Sequence, residues 1–394
     1  MLPLPTALRH DLHRHPELSG AETETARRLA DFIRPYAPTR MVTGLGGTGL
    51  AVVFSFAETG PTLLFRAELD ALPIQEVNQV THRSVNPGVA HLCGHDGHAA
   101  LLAGLAPWLS QCRFDAGRVV LLFQPAEETG KGAMAVLDDP LFADLRPDYV
   151  FALHNVPGYP LHEVVRVAGQ FSPTVQSMAI RLFGKESHAS EPENGINPAM
   201  AVAELVTALQ QQVVANPARP DFALVTPVHL LVGQPDYGIS AGYGEAHFTL
   251  RTWTADHMAV LVASLTTYLN TICAAHGLCT EVDWFDYFPA THNDPFCNDL
   301  VKQAATAAGL NQQERPMPFK FGEDFGWFTH HFRGTMFGLG AGLNTPALHN
   351  PDYDFPDDLL LSGGAVFRGI IQELLGDKAH QTVDYQPSTD QQRT

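Results

Sequence analysis

Cys93-Gly94-His95-Asp96-Gly97-His98 is the stretch that decides how this chain is read, because further metal-capable side chains recur at the ends of later strand-like runs. They are Glu127-Glu128 in Gln124-Pro-Ala-Glu-Glu, His154 in Ala152-Leu-His-Asn, and His349 in Ala347-Leu-His-Asn-Pro. A thiolate, a spare carboxylate and several imidazoles converging on one sheet rim are what a two-metal hydrolytic centre requires. The residues imply a metal-dependent hydrolase.

Around that stretch, helix and strand patterns alternate. Helical periodicity covers residues 6–36, and strand-like runs follow at 49–56, 62–68, 118–124 and 149–154. Helical segments are expected at 98–109 and 133–137. This order predicts an α/β fold with a largely parallel sheet covered by helices, and in such sheets ligands bind beyond the C-terminal strand ends. From about residue 170 the pattern changes to β-α-β-β-α-β, the order of a ferredoxin-like α+β module. The expected division is a catalytic domain at 1–169 and 292–376, an inserted domain at 170–291, and a polar, frayed tail at 377–394.

Composition sets bounds. A net charge of −18 argues against nucleic acid or an anionic membrane as partner. No stretch of membrane-spanning length is read as free of charge or proline, and the N-terminus shows no apolar leader. Five irregularly spaced cysteines fit free thiols in a reducing cytoplasm.

Each candidate has a plainer alternative. Cys93 reads either as a thiolate ligand at a helix start or as a small core residue, but a Gly-flanked run with two histidines on a rim is hard to explain by packing. Glu127 and Glu128 follow the apolar strand and Pro125, so they sit at the rim and not along a solvated face. If that segment is extended, adjacent side chains diverge, one free to hold a cation and the other to act as base. Spacing alone leaves open which does which. His154 and His349 would each pass for core histidines if they stood alone. Asp70 and Glu68 either orient a ligand histidine from behind or form a rim salt bridge with Arg66. Gly44-Leu-Gly-Gly-Thr-Gly matches a dinucleotide motif but precedes a strand, so it reads as a hairpin turn. His10, His13 and His15 read as solvated surface.

With these residues in place, the chain resembles the aminoacylase/carboxypeptidase amidohydrolases, a family that includes hippurate hydrolases and plant auxin-conjugate hydrolases. The matching motifs are His13-Arg-His-Pro-Glu-Leu-Ser, Arg66-Ala-Glu-Leu-Asp-Ala-Leu-Pro, Cys93-Gly-His-Asp-Gly-His, Gln124-Pro-Ala-Glu-Glu, Gly184-Lys-Glu-Ser-His-Ala, Gly322-Glu-Asp-Phe and Leu348-His-Asn-Pro, in the family's order along almost the whole chain. The resemblance implies a catalytic domain of zinc-peptidase type and an inserted lid or dimerisation domain. It implies two divalent ions held by Cys93, His95, Glu128, His154 and His349, with zinc, manganese, cobalt or nickel as candidates. Glu127 is then the general base, with Asp70 in the catalytic set. His188 and Arg251 become substrate-binding residues, and in related enzymes the histidine acts across a dimer, so a homodimer or higher oligomer is expected. Two departures stand out: Ala67-Glu-Leu-Asp replaces Ala-Asp-Met-Asp, and Tyr237-Gly238-Ile239-Ser240 replaces Asn-x-Ile-Pro.

The expected reaction is cleavage of the amide bond in an N-acyl amino acid or similar small amide. An aminopeptidase or dipeptidase on the same scaffold is the nearer rival, and a non-catalytic metal- or ligand-binding protein the more distant one.

Overall fold

The computed structural model describes residues 5–376; the tail expected at 377–394 lies outside the described residues. Two helices open the chain, α1 (Pro5–Arg14) and α2 (Thr23–Ile33), and bury Leu8, Leu12, Leu29 and Ile33. A hairpin follows, β1 (Arg40–Leu45) and β2 (Gly49–Ser55). Its turn holds Gly46 at φ 62° and Gly47 at φ 108°, a region glycine enters without steric cost, so the glycine run is a turn as expected. Next come β3 (Thr62–Glu68), α3 (His95–Ala103), α4 (Ala106–Leu109), β4 (Arg118–Gln124), α5 (Gly132–Asp138), β5 (Tyr149–Val156) and β6 (Val164–Val167). The single helix expected at 98–109 is two. Pro107 has no N–H to offer the Ala103 carbonyl, so the helix restarts around it.

The chain then builds a second sheet: β7 (Thr174–Phe183), β8 (Ser187–His188), α6 (Ala199–Gln210), β9 (Ala223–Val232), β10 (Ile239–Ser240), β11 (Tyr243–Thr252), α7 (Ala255–His276) and β12 (Cys279–Phe288). It returns with α8 (Pro295–Ala307), β13 (Gln312–Arg315), α9 (Gly326–His331), β14 (Arg333–Gly340) and α10 (Leu359–Leu375).

The large sheet has eight strands in the order β1-β2-β4-β3-β5-β14-β6-β13. Its central strands β4, β3, β5 and β14 are parallel, and the antiparallel pairs lie toward the flanks. β3 is buried along its whole length. Leu63 and Phe65 face a core shared with α1, α2, α3 and α10, whereas Leu64 faces Val136, Phe142 and Phe328. A strand covered on both faces reads as a continuous apolar run, as Leu63-Leu-Phe and Val119-Val-Leu-Leu-Phe do. From β3 the chain moves out to β4 on one side and β5 on the other, which makes the C-terminal end of β3 a switch point where an α/β sheet opens a crevice.

The second sheet is antiparallel, ordered β12-β7-β11-β9, with β8 and β10 forming a small separate ribbon. α6 and α7 cover one face through Val202, Leu205, Leu261, Leu265 and Leu269 against Phe248 and Leu250. Along β11 the buried residues alternate with Tyr243, Glu245, His247, Thr249 and Arg251, which leaves the other face polar.

One expectation is corrected. Residues 257–280 carry neither charge nor proline, and α7 is long and apolar enough to cross a membrane. The helix instead buries one stripe, Met258, Leu261, Leu265, Leu269 and Cys273, at helical spacing against the sheet. Its apolar length serves the core. Leu265→Ala should therefore cost about 2–5 kcal/mol in denaturant unfolding, as for other buried leucines, whereas Val260→Ala on the exposed side should stay within about 0.5 kcal/mol.

Candidate metal centre

Close backbone packing brings the site together. Gly94, at φ 100°, precedes α3, and a Cβ there would overlap the Asn155 side chain. A Cβ on Gly97 would overlap the Phe355 ring. The absence of both side chains lets the first turn of α3, and His95 with it, lie against the end of β5 on one side and Phe355 on the other. After β4, Ala126 takes φ 51° and Glu127 and Glu128 fall in a turn closed by Gly130 N–H to Glu127 O at 2.8 Å. The pair is thus not in an extended segment. Turn geometry aims both carboxylates at His95, with Glu127 Oε2 at 3.9 Å and Glu128 Oε1 at 4.0 Å from Nε2.

His154 lies inside β5, with Nε2 at 3.5 Å from Cys93 Sγ. His349 lies well past β14, not at a strand end, on backbone at φ 67°. Its N–H donates to Leu92 O at 2.8 Å, which sets it beside Cys93, and its Nε2 is 3.5 Å from Glu128 Oε1. The five residues expected as ligands are brought together: Cys93, His95 and His154 form one compact donor group, and Cys93, Glu128 and His349 another.

The tautomers suit coordination. A carbonyl only accepts, so His95 Nδ1 carries the proton given to Asp70 O at 2.9 Å, and His154 Nδ1 the one given to Asn155 O at 2.8 Å. The Nδ1 tie turns each Nε2 toward the site, the orientation a ligand needs. Burial depresses the His154 pKa to about 3, so that ring is neutral. His95 Nε2 and Glu128 Oε1 are buried without a hydrogen-bond partner among the described residues. Two such atoms among a thiol, three imidazoles and two carboxylates fit divalent cations.

Asp70 takes the supporting position rather than the rim salt bridge: its Oδ1 lies 3.3 Å from His95 Nδ1, and its Oδ2 accepts from Glu128 N–H at 2.9 Å and Ser19 Oγ at 2.7 Å. Glu68 makes the salt bridge with Arg66 and orients His98, which is not one of the expected ligands. One oxygen pairs with Arg66, and the other accepts from His98 Nδ1 at 2.8 Å. His98 Nε2 in turn accepts from Asn155 N–H at 3.1 Å, so both nitrogens of His98 are occupied.

Behind the site, Arg66 is fully buried, donates to Gln124 Oε1 (2.9 Å), Asp324 Oδ1 (2.6 Å) and Glu68, and forms an ion pair with Glu323 Oε1 (2.9 Å). Asp324 N–H reaches Glu127 Oε1 at 3.4 Å. Burial, with Glu323, Glu128 and Asp324 nearby, holds the Glu127 carboxyl well above its usual range. The Gly322-Glu-Asp-Phe motif thus supplies acids that the sequence reading had left without a task.

The histidine cluster near the N-terminus is the main correction. His13 is not solvated surface. It is fully buried, with Nδ1 2.8 Å from Asp96 Oδ2 and Nε2 3.3 Å from Glu76 Oε1. Arg9, one turn earlier, is equally buried and donates Nε–H to Asp96 at 2.9 Å. The signal was present in sequence: Arg9 and His13 each directly follow the buried leucines Leu8 and Leu12 at i, i+4 spacing.

His188 and Arg251 are not brought to each other. Arg251 donates Nε–H to Lys320 O at 3.1 Å, next to Phe321, whose ring lies 5.3 Å from that of His154. No acidic side chain pairs with Arg251 among the described residues. His188 is exposed beyond the far end of β7 and accepts from Ser190 N–H at Nδ1, 3.1 Å, which leaves Nε2–H as a free donor. Arg251 pairs with Val175 and Tyr243 with Phe183, so the two ends of β7 are separated by roughly 27 Å at the rise of an antiparallel strand.

Fold and site together define a class, the metallopeptidase-like hydrolases. The model of peptidase family M20/M25/M40 matches residues 64–373. An N-acetyl-L-cysteine deacetylase of Bacillus subtilis is 31% identical over 85% of this chain and 79% of its own. An N-acetyldiaminopimelate deacetylase of Brevibacillus brevis is 29% identical over 90% of this chain and 94% of its own. A solved Bacillus subtilis structure, described as a dinuclear metal binding peptidase from the M20 family, superposes with a TM-score of 0.78 at 26% identity, covering 94% and 97% of the two chains. The chain belongs to the peptidase family M20/M25/M40, and it is a hydrolase of amide bonds.

The His13–Asp96 pair gives a pH test. Asp96 raises the buried His13 from its ordinary 6.5 to about 9, against the effect of burial. A group with a raised folded pKa contributes stability that is complete below its unfolded pKa and lost as pH rises through the folded one. Unfolding free energy should therefore fall between about 6.5 and about 9. In His13→Gln that slope should be reduced, as read from denaturant midpoints across the range.

Proposed function

We propose that this chain hydrolyses the amide bond of a small N-acyl amino acid, with two divalent cations held by Cys93, His95, Glu128, His154 and His349. The carrying observation is the pair of buried, partnerless donors, His95 Nε2 and Glu128 Oε1, within a ring of metal-capable groups and directly beside Glu127. Bound there, the cations would polarise the amide carbonyl and acidify water. The thiolate favours zinc, with manganese, cobalt and nickel as other occupants.

The remaining work falls to side chains of the chain itself. Glu127, tethered at Oε1 by the Asp324 amide, accepts the water proton and returns it to the departing nitrogen. The acyl carbon gains the hydroxyl, the C–N bond breaks, and the amine leaves protonated. Asp70 fixes His95 and the Glu128 backbone together. Arg251, lacking an acidic partner, suits a substrate carboxylate, and Phe321 offers an apolar wall beside His154. The named relatives act on N-acetylated amino acids, which supports the same substrate class here.

His188 stands at the end of its sheet away from Arg251, so its free Nε2–H is best used in the site of another copy, where it would stabilise the oxyanion. Exposed Val228, Leu230, Leu231 and Val232 on the edge strand β9 support association with a second copy, because an apolar open edge invites pairing. The five unpaired cysteines favour a reducing compartment such as the cytoplasm.

Acetyl- and benzoyl-amino acids assayed beside unblocked dipeptides, with metal-reconstituted protein, test the substrate class; turnover of the dipeptides alone would reject it. Glu127→Gln should lower kcat by about two orders of magnitude or more with metal content unchanged. If that variant loses metal and Glu128→Gln keeps it, the two roles are exchanged. His188→Ala should cost about 10²–10³ in kcat. Mixed with Glu127→Gln under subunit exchange it should regain part of the activity; hybrid dimers without recovery would confine His188 to its own subunit.

A further inference from the structure

We propose that Arg9 is a positioning residue for the metal centre, fixing the segment that carries His95 relative to the segment that carries His349. The inference rests on the reading of those histidines and Cys93 as ligands. Arg9 itself is buried behind them.

The geometry is that of a clamp. Arg9 Nε–H donates to Asp96 Oδ2 at 2.9 Å, and Asp96 directly follows His95 in the first turn of α3. The same oxygen meets His13 Nδ1 at 2.8 Å. At its other end the guanidinium pairs with Asp354 and donates to His82 Nε2 at 2.8 Å. Asp354 belongs to the stretch 341–358, which contains neither helix nor strand and carries His349 in left-handed backbone. Such a stretch has no ladder or helical bonds to hold it, so isolated backbone bonds and side-chain ties set where His349 points. The backbone bonds include His349 N–H to Leu92 O at 2.8 Å and Val77 N–H to Pro351 O at 2.9 Å, and the side-chain ties include Asn155 Nδ2–H to Tyr353 Oη at 2.6 Å, Asn78 Nδ2–H to Tyr353 O at 2.9 Å, and the pairing of Asp354 and Asp357 with Arg9. Among these ties the Arg9 guanidinium continues to the residue after His95.

Arginine suits the task for a physical reason. Its planar fork presents donors in two directions at fixed spacing, so one side chain spans two acids, whereas a lysine ammonium is a single point on a flexible stem. His13, His82 and Asp354 also place metal-capable atoms close together. The Arg9 guanidinium donates into that same group, so its fixed positive charge opposes a cation there. The cluster supports the site; it is not a second one.

Arg9→Lys should weaken metal binding about 10–100-fold, the usual scale for losing a group that orients a ligand from behind. Competition of the purified full chain with a chromophoric chelator for zinc reads this directly. Cobalt-substituted Arg9→Lys should also show altered visible absorption bands, a change in coordination geometry that lowered stability alone would not produce. Asp354→Asn, at a partly exposed position, should weaken binding in the same direction, and it decides the matter if Arg9→Lys does not fold. Wild-type affinity and cobalt spectra in both variants would overturn the inference, and so would a lowered Tm with unchanged affinity. Cys93→Ser separates the two levels. If it binds weakly while the Arg9 and Asp354 variants bind normally, the inference alone fails; if it binds normally, the ligand assignment fails and takes the inference with it.

Discussion

The burial of one guanidinium among four acceptors is the constraint on which the site depends. Arg66 projects from β3, the strand covered on both faces, with no water to share its charge. An unpaired cation there would be prohibitively costly, so Gln124, Glu68, Glu323 and Asp324 must close around it. The partners sit on three pieces of chain: the ends of β3 and β4, and the loop before α9, which supplies both Glu323 and Asp324. Satisfying one arginine therefore fixes the relative position of three segments at the switch point of the sheet.

Those partners then reach forward. Glu68 holds His98, which accepts from the backbone beside His154. Asp324 accepts from Gln124 and from the start of α5, and its own amide meets Glu127. The result concentrates carboxylates where β3, β4 and β5 end. Glu127, Glu323 and Asp324 are all held above their usual pKa ranges, first by burial and then, for Glu127 and Glu323, by nearby acids. An excess of buried acid of this kind is expected of a site that works with cations.

The second sheet supplies contrast. Its covered face is an ordinary core, but its open face is polar and its two ends differ in chemistry. The Arg251 end adjoins Phe321 and His154, and the His188 end is exposed and far off. Within a single chain these residues do not meet, and this separation, together with the apolar edge of β9, is what makes a second copy part of the proposed mechanism.

The sequence by itself determined the buried strands, the order of the second sheet and which metal-capable residues come together. Continuous Val/Leu/Phe runs marked β3 and β4 as buried strands, the β-α-β-β-α-β order marked the second sheet, and the motifs around Cys93, Glu127, His154 and His349 named the residues that converge. These are local signals, carried by neighbours within a few positions. Tertiary structure alone decided what surrounds them. His13 looked solvated because its charged neighbours are visible in sequence and its contact with Asp96 is not. The turn that aims both Glu127 and Glu128 at His95, and the separation of His188 from Arg251, were likewise out of reach. A buried charge or polar group is stabilised by whatever distant segment packs against it, and one-dimensional spacing holds no record of that segment.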